Sequence, residues 1–376
     1  MIIEKIDVTH ISVPLVKPYQ LSKKYGVLEK SEIVVVKMTA DDGTVGFGET
    51  DPMPLFTEES AETVKTVLRN HLGKAILGEN PLNIQAIHGL MDGAIKGNLL
   101  AKATIDIACY DLLGKHTDLP VHCLLGGQLR DQVPIMWAIG NDEPTDSAAE
   151  SIDIKNQGYA SIMIKVGSAD LRQDLARVQA VREIVGNDFP LIVDANQAWT
   201  VDDAIRFSRM IEPYDIFLFE QPVASWDFEG LKKVKQNTRI PISADESLFS
   251  IHDASRLISM EAVDVFSIKV VKHGGIFNAR AIMDLARANG IPCLMNSMIE
   301  EGITQAASLQ LGAYAQNLWG HGNAYFSPLR LKDDITDFSL SIRNGTVFVP
   351  TGAGLGINVN EEMIEKYSTE SFQLSL

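Results

Sequence analysis

The sequence predicts an α/β protein: a closed (β/α) barrel, preceded by an α+β unit and followed by a segment that packs back on that unit. Three observations carry this. The first forty residues alternate apolar and polar side chains with a period of two. Near Val133 the chain changes to short apolar runs separated by amphipathic helical stretches, and that rhythm stops near residue 327. A length of 376 residues allows two or three domains, or one large barrel with additions. The expected boundaries are 1–130 for the α+β unit, 131–326 for the barrel and 327–376 for the returning segment.

The opening "IEKIDVTHISV" and "EIVVVKMTADDGTVGFGET" read as an antiparallel meander, with Asp42-Gly43 marking a tight hairpin turn. The period then lengthens. "TEESAETVKTVLRNHLGKAIL" reads as a helix capped by Thr57 with glutamates directly behind it, and "AKATIDIACYDLLGKHTDLP" as another. From Val133 the apolar runs are "VPIMWAIG", "SIMIKVG", "LIVDANQ", "IFLFEQP", "PISADES", "DVFSIKV", "PCLMNS" and, more weakly marked, "NLWGHGN". Segments such as "DLRQDLARVQAVREIVG" between them carry apolar residues at helical spacing. Strands alternating with helices form parallel βαβ units. Seven or eight in succession favour a closed barrel over an open sheet, and no Gly-rich first crossover marks a dinucleotide-binding fold.

A formal net charge of −16, from 49 acidic and 33 basic side chains, argues against nucleic-acid or anionic-membrane partners, which need a basic face. No stretch approaches the roughly 18 consecutive apolar residues of a membrane span. "MIIEKIDVTHISVPL" interleaves charges with apolar residues, unlike a signal peptide. Cys109, Cys123 and Cys293 form no CxxC pair and sit in apolar settings, so they are expected to be reduced core residues of a cytoplasmic protein.

Five consecutive runs end in an ionisable residue: Lys165, Asp194, Glu220, Asp245 and Lys269, spaced by 29, 26, 25 and 24 residues. Each spacing is one strand-helix unit, so in a barrel all five stand at the C-terminal mouth, where such folds keep their active sites. A lone acid after a strand is more often a helix N-cap than a ligand. That explanation fails for the set, because a lysine cannot cap an N-terminus and three clustered carboxylates repel one another. Three carboxylates with no His or Cys partner suit a hard cation, Mg²⁺. A lysine beside a divalent cation and away from water is expected to have a lowered pKa, making its amine a usable base. A base next to a metal that holds a carboxylate is the equipment for removing a proton alpha to that carboxylate.

These residues resemble the enolase superfamily in its muconate-lactonising (mandelate racemase/muconate lactonising enzyme) branch; enolase-superfamily sites are themselves the standard example of a lysine or histidine base beside Mg²⁺. The resemblance runs through "GTVGFGE" and "AKATIDIACYDLLGKHTDLPVHCLLGG", then "IMIKVG", "VDANQAW", "FEQP", "ADES" and "IKVVKHGGI". It implies a modified (β/α)7β TIM-type barrel with an α+β capping domain completed by the C-terminal segment, and a homo-oligomer. It also implies that Asp194, Glu220 and Asp245 bind one Mg²⁺ per site, that Asn196 and Glu246 support them, and that Lys165 and Lys269 are opposed acid/bases. Lys272 and His273 read as loop residues. Capping loops near Pro18 to Lys30 and Asp51 to Thr57 would carry the specificity candidates Tyr19, Tyr25 and Phe56. Further candidates are Asn296, Ser297, Met298 and Glu300 after the seventh strand, and Asn323 and Tyr325 beyond it.

Two departures stand out. The branch usually carries Lys-x-Lys on the second barrel strand, and here Met163 replaces the first lysine, on the same strand face as Lys165. The acidic pair with which the branch's dipeptide epimerases greet a substrate ammonium is not evident in "WGHGNAYFSP". The expected function is Mg²⁺-dependent abstraction of the α-proton of a small carboxylate through an enediolate. The outcome would be racemisation or epimerisation of an amino-acid derivative or cyclic amino acid. Dehydration of a hydroxy acid or hydroxyproline-like substrate and cycloisomerisation are the alternatives, with a non-catalytic metal-binding scaffold more remote.

Overall fold

Alternating apolar residues at the N-terminus build an antiparallel sheet in the computed structural model, which describes residues 1–376. β1 (Ile3–Gln20), β2 (Val27–Ala40) and β3 (Val45–Thr50) are neighbours in it. Ile6, Val8, Ile11 and Val13 turn into the core. The β2–β3 hairpin closes where Thr44 O accepts from Ala40 N–H, and Gly43, at φ +85°, takes the left-handed conformation the turn needs.

The long helix Leu99–Thr117 crosses this sheet at β3, close enough to demand glycine. A Cβ on Gly48 would stand 1.8 Å from the carbonyl oxygen of Thr104. Gly48→Ala is therefore expected to lower stability by about 1–3 kcal/mol, read as a fall in the urea midpoint. An unchanged midpoint would show that helix and strand can separate at no cost. The earlier helix begins at Ser60 and not at Thr57. Ser60 and Thr63 exchange side-chain-to-backbone bonds in a capping box, whereas the Thr57 hydroxyl donates back to Met53 O within the short turn Pro54–Thr57.

β4 (Gln132–Pro134) leads into seven parallel strands: β5 (Met136–Ile139), β6 (Ser161–Lys165), β7 (Leu191–Asp194), β8 (Ile216–Glu220), β9 (Ile242–Ala244), β10 (Val265–Ile268) and β11 (Cys293–Met295). They follow one another in space in sequence order, with helices between them. "NLWGHGN" forms no regular strand. It still closes the ring, through isolated parallel bridges Cys293–Leu318 on one side and Ile135–Asn323 on the other. Gly322 explains the irregularity. Gly322 sits at φ +100°, where a Cβ would lie 2.9 Å from the Met136 nitrogen.

β12 (Ile342–Arg343) and β13 (Thr346–Phe348) form a small sheet with β4, and β14 (Ser368–Ser375) pairs antiparallel with β1. The N-terminal sheet thus has the order β14-β1-β2-β3. Cys109 and Cys293 are buried, but Cys123 is exposed: it lies on the outer face of the short helix Val121–Leu125, which correlates poorly with the apolar sequence around it. No helix is long and apolar enough to cross a membrane.

Candidate active site

Strand register assembles the site. Lys165 pairs laterally with Asp194, Asp194 with Glu220, and Glu220 with Ser243, so a single row crosses β6 to β9 at their C-terminal ends. Adjacent strands lie roughly 4.8 Å apart, which sets the spacing of the row. Asp245 follows two residues beyond Ser243 and so shares its facing. Lys269 and Asn296 are the residues directly after β10 and β11, and Asn296 N–H donates to Ile268 O at 2.7 Å.

Asp194, Glu220 and Asp245 are buried, and each is held by neighbours. Lys165 Nζ donates to Asp194 Oδ2 at 2.5 Å, and Asn196 donates to Asp194 from its backbone N–H at 2.9 Å and its amide at 3.1 Å. Glu220 accepts from the Asn296 amide at 2.8 Å and from Ser243 Oγ at 3.1 Å. Asp245 accepts from Lys269 Nζ at 2.7 Å and from Lys272 Nζ at 2.6 Å. Lys272 is 0% exposed and also donates to the carbonyls of Asp245 and Ser267. Three ammonium groups thus face three carboxylates.

Electrostatics follow from this pairing. Burial disfavours the charged forms of Lys165 and Lys269, but Asp194 beside one and Asp245 beside the other outweigh it and hold both above the ordinary lysine value. This is opposite to the lowering expected beside a cation, because the charges paired with them here are carboxylates. Burial and the adjacent Asp194 and Asp245 push Glu220 well up. Burial also tends to raise Asp245, yet its two lysines hold it below the usual carboxylate range. Buried His273 is pushed down to about 3 by desolvation and Lys272, so it is neutral; its Nδ1 lies 2.9 Å from Phe249 O.

Above the row, between the N-terminal loops and the barrel mouth, lies a small, partly open cavity. Lys165 and Lys269 open into it, with Asn196, Asn296, Ser297 and Met298. So do Met163, Tyr19, Tyr25 and Phe56, the last from the turn Pro54–Thr57, whose ring lies 3.9 Å from Lys269 Nζ. Tyr25 hydroxyl donates to Glu246 Oε1 at 2.9 Å and accepts from Gln197 at 2.6 Å, tying the loop before β2 to the barrel. Glu246, also bonded by Asn196 at 3.3 Å, does not line the cavity. Glu300 is buried behind it, accepting from Gln305 at 3.0 Å.

Tyr325 stands apart. It is fully buried against helix Gly302–Tyr314 and donates to Ser308 O at 3.2 Å, while the next residue, Phe326, faces the cavity. Asn323 spends its backbone and amide on β4, β5 and β11, closing the ring. Sequence reasoning missed Lys272, Gln197 and Phe326, and the lid residues Leu21, Leu28 and Met53 that also line the cavity.

Burial pushes Glu300 up to about 7 from an ordinary 4.5. A carboxyl whose pKa is raised by folding contributes full stability below its unfolded value and loses it as pH rises through the folded one. Stability should therefore fall between about pH 4.5 and 7 by up to ~3 kcal/mol from this group. Glu300→Gln should match the native protein at pH 5 and exceed it at pH 8 in urea midpoint. Equal midpoints at pH 8 would remove Glu300 from that slope.

Comparison with known proteins agrees with this architecture. Residues 5–126 match the mandelate racemase / muconate lactonizing enzyme N-terminal domain, and residues 146–363 match the enolase C-terminal domain-like family. The chain is similar to the crystal structure of N-succinyl Arg/Lys racemase from Bacillus cereus, at TM-score 0.96 and 31% identity over 100% of both chains. It is similar to the dipeptide epimerase from Cytophaga hutchinsonii complexed with Mg and D-Ala-L-Val, at TM-score 0.94 and 31% identity over 100% of both. It is 33% identical to chloromuconate cycloisomerase of Delftia acidovorans over 98% of this chain and 99% of that one. The chain belongs to the mandelate racemase/muconate lactonizing branch of the enolase superfamily and is an isomerase-type enzyme of that branch.

Proposed function

We propose that the protein racemises or epimerises a small carboxylate by moving its α-proton between Lys165 and Lys269, with Mg²⁺ held by Asp194, Glu220 and Asp245. The observation that carries this reading is the placement of the two lysines. They end the second and sixth strands of an eight-position ring, so they approach one cavity from opposite sides. An α-carbon between them presents its proton to one amine while the other ammonium returns a proton to the opposite face.

The donor chemistry suits the cation, although Asp194 and Asp245 are closed on lysine ammoniums in this structure and the three carboxylates do not form a ready-made cluster. Asp194, Glu220 and Asp245 offer only hard oxygens, on consecutive strands, with no nitrogen or sulfur ligand among them. When bound, Mg²⁺ supplies positive charge where charge collects on the carboxylate as the proton leaves. Asn296 and Asn196 orient Glu220 and Asp194 through the bonds already described, and Lys272 fixes Asp245 from behind. The lid residues Tyr25 and Phe56 cover the cavity and exclude water from the exchanging proton.

The test is a screen of carboxylates with Mg²⁺ in D₂O, read by mass and NMR. The expected result is deuterium at Cα with no other change in mass, suppressed by EDTA. Loss of water would mean dehydration, and a ring-closed product cycloisomerisation. Absence of exchange across the screen would sink the proton-transfer reading.

A further inference from the structure

Resting on that reading, we infer that the substrate is a monocarboxylate whose remainder is uncharged and largely apolar. The relatives named above handle a succinyl carboxylate, a dipeptide or a chlorinated muconate. The lining of this chain's cavity offers no further group to receive a second charge. Apart from two tyrosines, its only titratable lining residues are Lys165 and Lys269, and the proton transfer already uses both.

The remaining walls are neutral. Ala138 and Met163 come from the first two barrel strands, Met53 and Phe56 from the lid, and Met298 and Phe326 from beyond β11. Hydrogen-bonding groups are present, but they are hydroxyls and amides: Ser297, Asn196, Asn296 and the two lid tyrosines. These suit a neutral amide or carbonyl.

Charges near the cavity are turned away from it. Glu246 accepts from Tyr25 and Asn196, and Glu300 accepts from Gln305; neither carboxylate lines the cavity to receive an ammonium. The guanidinium of Arg330 is a nearby cation chemically able to take a second carboxylate. It is shut behind the cavity wall, 3.9 Å over the Tyr19 ring and 5.2 Å over the Phe326 ring, and donates to Ala138 O. Met163 completes this pattern, since its thioether occupies the strand face beside Lys165 where a further cation would stand. A charged tail entering this space would be desolvated without a partner.

Three probes share one reacting carbon and an N-acyl link and carry a neutral, an anionic and a cationic acyl group, of unequal length: N-acetyl-L-methionine, N-succinyl-L-methionine and L-alanyl-L-methionine. With the Mg²⁺-loaded enzyme in D₂O, the acetyl compound is expected to exchange its α-proton with kcat/KM at least tenfold above both others. Either charged compound matching or exceeding it would overturn the inference. Exchange by none of the three, with exchange of some other carboxylate in the wider screen, would overturn the substrate class while leaving proton abstraction standing. No exchange with any carboxylate would overturn both. In Met163→Lys, the succinyl-to-acetyl ratio of kcat/KM is expected to rise at least tenfold, and an unchanged ratio in the folded variant would remove Met163 from this role.

Discussion

Lys269→Ala is expected to lose racemisation in both directions, by a factor of about 10²–10⁴ in kcat, the usual contribution of a positioned acid or base. The loss should not be uniform. Lys165 remains on its own side of the cavity, so the enantiomer that points its proton at Lys165 can still be deprotonated and reprotonated from that side. Deuterium would then enter one enantiomer with retention of configuration, while the other stays silent. Lys165→Ala should show the mirror image. The pair of variants, followed by chiral chromatography and NMR in D₂O, separates a two-base reaction from a single-base one: racemisation surviving in Lys269→Ala at native rates would end the assignment of that base.

Lys272→Met is expected to have the largest effect on stability, about 3–5 kcal/mol, because it removes a buried ammonium and all its hydrogen bonds and leaves Asp245 with Lys269 alone, on Oδ2. Lys272 is 0% exposed and is the only side chain bonded to Asp245 Oδ1, and it also satisfies the carbonyls of Asp245 and Ser267. Methionine fills the volume and supplies none of those bonds. The urea midpoint, measured beside native protein at the same pH, gives the result. A loss below about 1 kcal/mol would mean that water enters and replaces the ammonium.

The five ionisable strand ends were legible because a βα unit has a nearly constant length, so equal spacing in sequence becomes equal height in the barrel. Register did the rest, setting Lys165, Asp194 and Glu220 side by side. Lys272 was misread as a loop residue because it follows the strand, although a usable signal existed. The turn Val271–His273 is a 3-10 helix, and it carries Lys272 back onto Asp245, the carboxylate that Lys269 also holds. Tyr325 failed for the converse reason: with Gly322 in the left-handed conformation and no regular strand in the last segment, alternation no longer says which residue faces inward, and Phe326 takes the place. The cavity walls came from separate parts of the chain, so no local pattern could assemble them.

The order β14-β1-β2-β3 sets a timetable for biosynthesis. The sheet beneath the lid pairs β1 with a strand that lies beyond every barrel unit in the chain, so this outer strand is added only after the barrel has been made. Until then the edge of β1 from Lys5 to Ile11 has no partner on that side, and an open edge invites wrong pairing. A nascent chain therefore holds a nearly finished barrel while the platform of its lid is incomplete, and a ribosome stalled late would release a molecule with strand ends in place but a weakened cover. Pairing of the eight-residue β14 is the step that covers this edge of β1.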